Sequence, residues 1–77
     1  MDQIRIGEFL KELRKEKGLT QEQLAEKFNV SRRSVSRWET GSNLPDLSIL
    51  VELAEFYDVD IKEIIDGARK SEMMNEE

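Results

Sequence analysis

The densest chemistry in the chain lies in ten residues, Ser31-Arg-Arg-Ser-Val-Ser-Arg-Trp-Glu-Thr40. Wound as a helix at about 100° per residue, this run puts Val35 and Trp38 together on one side. Arg33, Ser36 and Arg37 fall on the opposite side, with Arg32 and Ser34 at its edges and no acid before Glu39. A guanidinium can donate two hydrogen bonds to O6 and N7 of a guanine. A serine permits close approach while donating to a base or a phosphate. The alternative for such a face is an ordinary solvated basic surface. Its setting separates the two readings: Asp and Glu number 17 against 12 Lys and Arg, for a net charge of −5. Three uncompensated arginines on one face are out of character with that background. Arg32, at the edge, divides between base and phosphate, and Trp38 on the inner side reads as core rather than as a stacking platform.

A second group stands eleven residues before Arg32. Gln21 follows Thr20, a residue type that caps helices, so it falls at the first position of a helix, where unpaired N–H groups and the dipole favour an anion. Its carboxamide and the backbone there could hold a phosphate together. The plain alternative is a good helix former behind a cap.

These groups need rigid elements, and punctuation marks five. Ile6, Phe9, Leu10 and Leu13 recur at helical steps and form one face of a first helix, with Gly18 as its stop. Thr20 with Gln23 makes a capping box and Leu19 with Leu24 a hydrophobic staple, opening a second helix that carries Leu24, Ala25 and Phe28 and ends at Asn29. Ser31 caps the third, with Val30 and Val35 as staple and Gly41 as terminator. Leu44-Pro45-Asp46 opens a fourth, with Asp46 as cap or first-turn acid and an apolar stripe of Leu47, Leu50, Val51, Ala54 and Tyr57, widened by Leu53 and Phe56. Asp60 with Glu63, and Val59 with Ile64, repeat the box and staple before a short fifth helix carrying Ile61, Ile64 and Ile65 and stopping near Gly67. Residues 68–77 sustain no pattern and read as a flexible tail or linker after a domain of residues 1–67. Helices two and three, joined only through Asn29, Val30 and Ser31, form a helix-turn-helix, which can present its second helix to a DNA groove.

Composition removes other classes. With no Cys and no His, disulfide, thiol-redox and zinc-finger chemistry fall away. No glycine-rich phosphate loop or isolated carboxylate pair offers an acid, base or nucleophile, so neither an enzyme, a cofactor nor a metal is expected. Apolar residues come in short clusters, so no membrane span is expected, and the opening Met-Asp-Gln-Ile-Arg-Ile-Gly lacks a signal-peptide core, which predicts a cytoplasmic protein. The acidic net charge opposes a nucleic-acid partner, yet it is unevenly spread. Residues 1–45 carry nine basic against seven acidic side chains, and residues 46–77 three against ten. Screening limits each charge to about 8–10 Å, so an acidic half turned away from a phosphate backbone does little harm.

Taken together, Leu-Arg-Lys-Glu-Lys-Gly-Leu-Thr-Gln (13–21), Leu-Ala (24–25), Val-Ser (30–31), Val-Ser-Arg-Trp-Glu (35–39), Gly41, Pro45 and Leu-Ala (53–54) resemble the phage-repressor/Cro-type helix-turn-helix family, also called the xenobiotic-response-element type. The resemblance runs from about Ile4 to Ile65. It implies an all-α, lambda-repressor-like five-helix domain that binds double-stranded DNA as a transcriptional regulator, usually a repressor. It implies base contacts from Arg32, Arg33 and Arg37, beside Ser36 on the same face. It implies phosphate contacts from Gln21 and from Thr40 with the following loop, Ser42 and Asn43; Ser31 and Ser34 are candidates for the same role. It also pairs Arg14 with Glu39. Glu39 lies near the C-terminus of the third helix, where the dipole disfavours an anion, and its angle turns it coreward, so a cationic partner is required there.

One short reading helix contacts too few base pairs to pick out an operator, so a weak homodimer, strengthened on an approximately palindromic site, is expected. Val59 to Ile65 supply either its interface or core. The rival reading is a protein-interaction module of antitoxin or anti-regulator type on the same fold, which the acidic second half would suit.

Overall fold

The computed structural model describes residues 2–70, and five helices lie among these residues. They are α1 (Gln3–Glu16), α2 (Gln21–Phe28), α3 (Arg32–Thr40), α4 (Leu47–Tyr57) and α5 (Ile61–Asp66). Each boundary has a local cause. Asp2 opens α1 by accepting from the N–H groups of Ile4 and Arg5. The Thr20 hydroxyl accepts from Gln23 N–H at 3.0 Å and the Gln23 carboxamide oxygen accepts from Thr20 N–H at 2.9 Å, completing the reciprocal box. Ser31 caps α3 through Ser34 N–H, and Asp46 caps α4 through Ile49 N–H, so Asp46 is the cap itself. At α5 the Glu63 carboxylate accepts from Asp60 N–H at 2.8 Å. Left-handed residues stop α2 at Asn29 (φ 57°), α3 at Gly41 (φ 83°) and α5 at Gly67 (φ 73°). The end of α4 uses Asp58 (φ 57°), a type that tolerates this region better than most.

The apolar faces meet in one core of Ile6, Phe9, Leu10, Leu13, Leu24, Ala25, Val35, Trp38, Leu50, Leu53, Ala54, Tyr57 and Ile64. Leu19, Val30 and Val59, the staple residues, pack against its rim. The stripe on α4 lies differently from the sequence expectation. Its buried residues are Leu50, Leu53, Ala54 and Tyr57, whereas Leu47 and Val51 are 70% and 43% exposed. At about 100° per residue, the four buried positions share an arc that leaves Val51 on its flank. Leu47 stands at the arc's edge, in the first turn. Ile64 is the anchor of α5, with Ile61 only partly covered.

The closest packing joins α1 to the end of α3. A Cβ placed on Gly7 would lie 2.6 Å from the Trp38 carbonyl oxygen and 2.7 Å from that of Glu39. Glycine here lets the α1 backbone lie directly against the last turn of α3, which fixes the angle at which α3 projects. Backbone carbonyls of a helix cannot move aside as a flexible side chain can. Gly7→Ala is therefore expected to cost at least about 1–3 kcal/mol, the usual penalty of overpacking, read as a lower urea midpoint at unchanged m-value.

Past α5, the Arg69 guanidinium holds the Glu16 carboxylate through bonds of 2.6 and 3.1 Å, and Lys70 N–H donates to Glu63 at 2.6 Å. The Arg69 bond holds the Glu16 carboxyl below the ordinary range, and the Lys70 and Asp60 amides do the same for Glu63. The rest of the segment 68–77 read as a tail, with Met73 and Met74, lies outside the described residues.

Candidate nucleic-acid interface

Between α2 and α3 the chain turns through Asn29, whose left-handed backbone lets Val30 N–H return to the Ala25 carbonyl at 3.0 Å. Ser31 then starts α3 at once, so the two helices are joined with almost no slack. The inner side of α3 is Val35, Trp38 and Glu39, all buried, with Val35 wholly so. Its outer side carries Arg32, Arg33 and Arg37, all exposed, while Ser34 and Ser36 are half-buried between them. Among the described residues, the side chains of Arg33 and Arg37 have neither an ion pair nor a hydrogen bond within the chain. Arg32 stands 4.0 Å from Glu22, with both side chains mostly in solvent. An exposed pair at that distance is worth little, so Arg32 remains free to turn outward.

The hydroxyl groups are more committed. Ser31 Oγ accepts from Ser34 N–H and shares a hydrogen with Ser34 Oγ at 3.0 Å. Thr40 Oγ1 donates to the Arg37 carbonyl at 3.3 Å and lies 3.1 Å from Ser42 Oγ. The N–H groups of Ser42 and Asn43 return to the same Arg37 carbonyl at 2.9 and 3.3 Å. That carbonyl thus folds the loop back against the last turn of α3. Thr40, Ser42 and Asn43 are exposed beside Arg37 as a compact polar edge.

Behind the arginine face lies a buried ion pair. Arg14 Nε donates to Glu39 Oε2 at 2.7 Å and Nη2 to Oε1 at 2.9 Å, with side chains only 8% and 3% exposed. Arg14 Nη1 donates to the Leu19 carbonyl at 2.7 Å, tying the loop before α2 into the same cluster. The hydrogen bonds that Arg14 donates to Glu39 raise the Arg14 pKa further, against the opposing effect of burial. Gln21 also enters: its Nε2 donates to Glu39 Oε1 at 3.1 Å. Sequence reasoning placed Gln21 at the helix start but did not anticipate this contact, which depends on how α2 and α3 cross. The Tyr57 hydroxyl is buried with no hydrogen-bond partner among the described residues. Burial first, and the Glu39 carboxylate second, push its pKa up.

The acids of residues 46–70 sit mainly on or between α4 and α5, which make their principal contacts with each other and, through α5, with α1. Among these residues no group of His, Cys, Asp and Glu is placed to hold a metal ion, and no helix is long and apolar enough to cross a membrane.

Two short capped helices in a tight turn, the second bearing exposed arginines outward and anchored from behind, define a helix-turn-helix of the DNA-binding class. The helix-turn-helix family model matches residues 10–64, most of the chain, and the protein belongs to that family. It is 42% identical over 64 residues to the HTH-type transcriptional activator BcrR of Enterococcus faecalis, covering 83% of this chain and 31% of that protein. It is 31% identical over 72 residues to the uncharacterized HTH-type transcriptional regulator YqaE of Bacillus subtilis, covering 94% and 62%. Against YobD of the same organism, likewise an uncharacterized HTH-type transcriptional regulator, identity is 45% over 56 residues, covering 73% and 50%. The chain thus spans between 31% and 62% of the length of these relatives. The family is one of DNA-binding proteins rather than enzymes.

Proposed function

We propose that the chain is a sequence-specific transcriptional regulator that seats α3 in the major groove of double-stranded DNA. The observation that carries this reading is the pairing of two features on one short helix. Arg33 and Arg37 project with no side-chain ion pair or hydrogen bond among the described residues, while Val35, Trp38 and Glu39 fix the helix from behind. Cations left unpaired in an acidic chain, on a rigid helix, suit guanine edges and the phosphates beside them. Arg32, Arg33, Ser36 and Arg37 are assigned to the bases. Gln21, Ser31, Ser34, Thr40, Ser42 and Asn43 are assigned to the phosphates. The DNA-binding unit in this reading is residues 1–67, and its setting is the cytoplasm.

Repression is the mode that follows from binding alone, since an occupied operator excludes other proteins. The relative named an activator has more than two thirds of its length outside the match. A two-fold pair on a roughly palindromic site, with α3 helices about 34–36 Å apart, would double the sequence read. Ile64 is buried and Val59 and Ile61 pack partly against the core, which leaves the half-buried Ile65 as the main apolar side chain of this stretch for solution pairing. Self-association is therefore weak away from DNA.

A salt titration with a selected duplex tests this against the protein-interaction reading. DNA affinity should fall linearly on a log–log plot, by about 0.9 in slope for each phosphate neutralised, whereas a mainly apolar protein interface should barely respond. Gln21→Ala, measured on the same duplex and on related sites, should weaken all of them about two- to tenfold while leaving their ranking intact. A reordered ranking at little cost in affinity would remove Gln21 from the phosphate set.

A further inference from the structure

The Gln21 carboxamide is held from within. Its Nε2 spends one hydrogen on Glu39 Oε1 at 3.1 Å, and Glu39 is itself gripped by Arg14 at 2.7 and 2.9 Å. A primary amide has two N–H donors, so one remains. Gln21 is half-buried, with its inner donor committed to a 3%-exposed carboxylate. The amide plane is thereby fixed and its second N–H is left for solvent or a ligand. We propose that Glu39 is a positioning residue for DNA binding: it orients Gln21 so that the outer N–H meets a backbone phosphate, and Arg14 cancels the charge that would otherwise repel it. The assignment rests on the phosphate role given to Gln21 above. It adds that the buried pair sets the geometry of binding as well as the stability of the fold.

The arrangement is economical in charge. A bare carboxylate this close to a phosphate site would disfavour DNA, since like charges a few ångströms apart repel by kilocalories in a partly dry environment. With both Glu39 oxygens bonded to Arg14, the cluster is neutral and Gln21 carries no net anion behind it. Arg14 Nη1 on the Leu19 carbonyl steadies the approach to α2 from the other side. The Glu39 carboxylate thus links the side chain that offers the phosphate contact on α2 to the helix that carries the arginines.

Two measurements test this on the full chain. In the unsubstituted protein, the side-chain amide signals of Gln21 can be compared with those of Gln3 and Gln23. One Gln21 proton should be shifted downfield and exchange slowly, and the other should move when a selected duplex is added. Amide signals averaged like those of a solvent-exposed glutamine, or two protons that respond to DNA alike, would overturn the proposal. The second measurement is a double-mutant cycle in DNA affinity. Glutamine offers one acceptor oxygen where the carboxylate offers two, so in Glu39→Gln the Arg14 and Gln21 bonds compete for it. The variant should lose about three- to tenfold in affinity, with a shallower salt slope, and should lose less than about twofold when Gln21 is already Ala. Equal losses in both backgrounds, or unchanged affinity, would show that Glu39 acts on stability alone. If the unsubstituted protein binds no duplex from a selection, the DNA reading itself fails, and this proposal with it.

Discussion

Arg14→Ala and Glu39→Ala are each expected to destabilise the domain by about 3–5 kcal/mol, because removal of one partner leaves an uncompensated charge largely shielded from water. The pair is bidentate, with side chains 8% and 3% exposed, and the Arg14 fork also serves the Leu19 carbonyl. For a domain of this size each kilocalorie lowers the melting temperature by about 4–8 °C, so losses well above ten degrees should appear in a thermal melt. The effect should not follow from loss of polarity in general. Tyr57 is as buried, but its hydroxyl makes no hydrogen bond among the described residues, so Tyr57→Phe should leave the melt within a few degrees of the parent. Melts of the Arg14 and Glu39 variants that also stayed within a few degrees would demote the pair to a surface contact.

The second large effect concerns binding and should leave stability untouched. The Arg33 and Arg37 side chains are exposed and make no ion pair or hydrogen bond among the described residues, so truncating them should cost the fold little. On the best site each Arg→Ala change should cost about 1–3 kcal/mol and relax the preference at particular base pairs. Phosphate-directed changes such as Gln21→Ala should instead lower affinity evenly. Titration of a panel of single-base variants of one duplex with Arg33→Ala, Arg37→Ala and the double variant distinguishes the two patterns. An unchanged ranking of sites by the double variant would mean that another element reads the sequence.

How much of this could be read from residues alone follows the range of the forces involved. Caps and stops act over three or four residues, and Thr20 with Gln23, Asn29, Ser31, Gly41 and Gly67 mark their helix ends in the chain as in the structure. The arginine face of α3 was legible for the same reason, since helical periodicity decides which residues share a side. The inner donor of Gln21 and the requirement for glycine at position 7 were not. Both depend on how closely two helices approach, and no local pattern encodes that distance. The α4 stripe shows the intermediate case. Periodicity found its apolar residues, but the neighbouring helices decided that Leu50, Leu53, Ala54 and Tyr57 face inward while Leu47 and Val51 do not. The Arg14–Glu39 pair, 25 residues apart in sequence, came from the family resemblance, with only the awkward position of Glu39 near a helix C-terminus as independent support.

Selection from a random pool of duplex DNA tests the central claim most directly, because it requires the protein to bind and to choose. The full chain should enrich a two-fold palindromic motif whose half-sites lie about one helical turn apart, with guanines at the positions most sensitive to Arg33 and Arg37. The Arg33→Ala/Arg37→Ala double variant, folded as judged by its melt, should lose that motif. Recovery of no motif by the parent, or of the same motif by the double variant, would contradict the assignment of α3 as the reading helix.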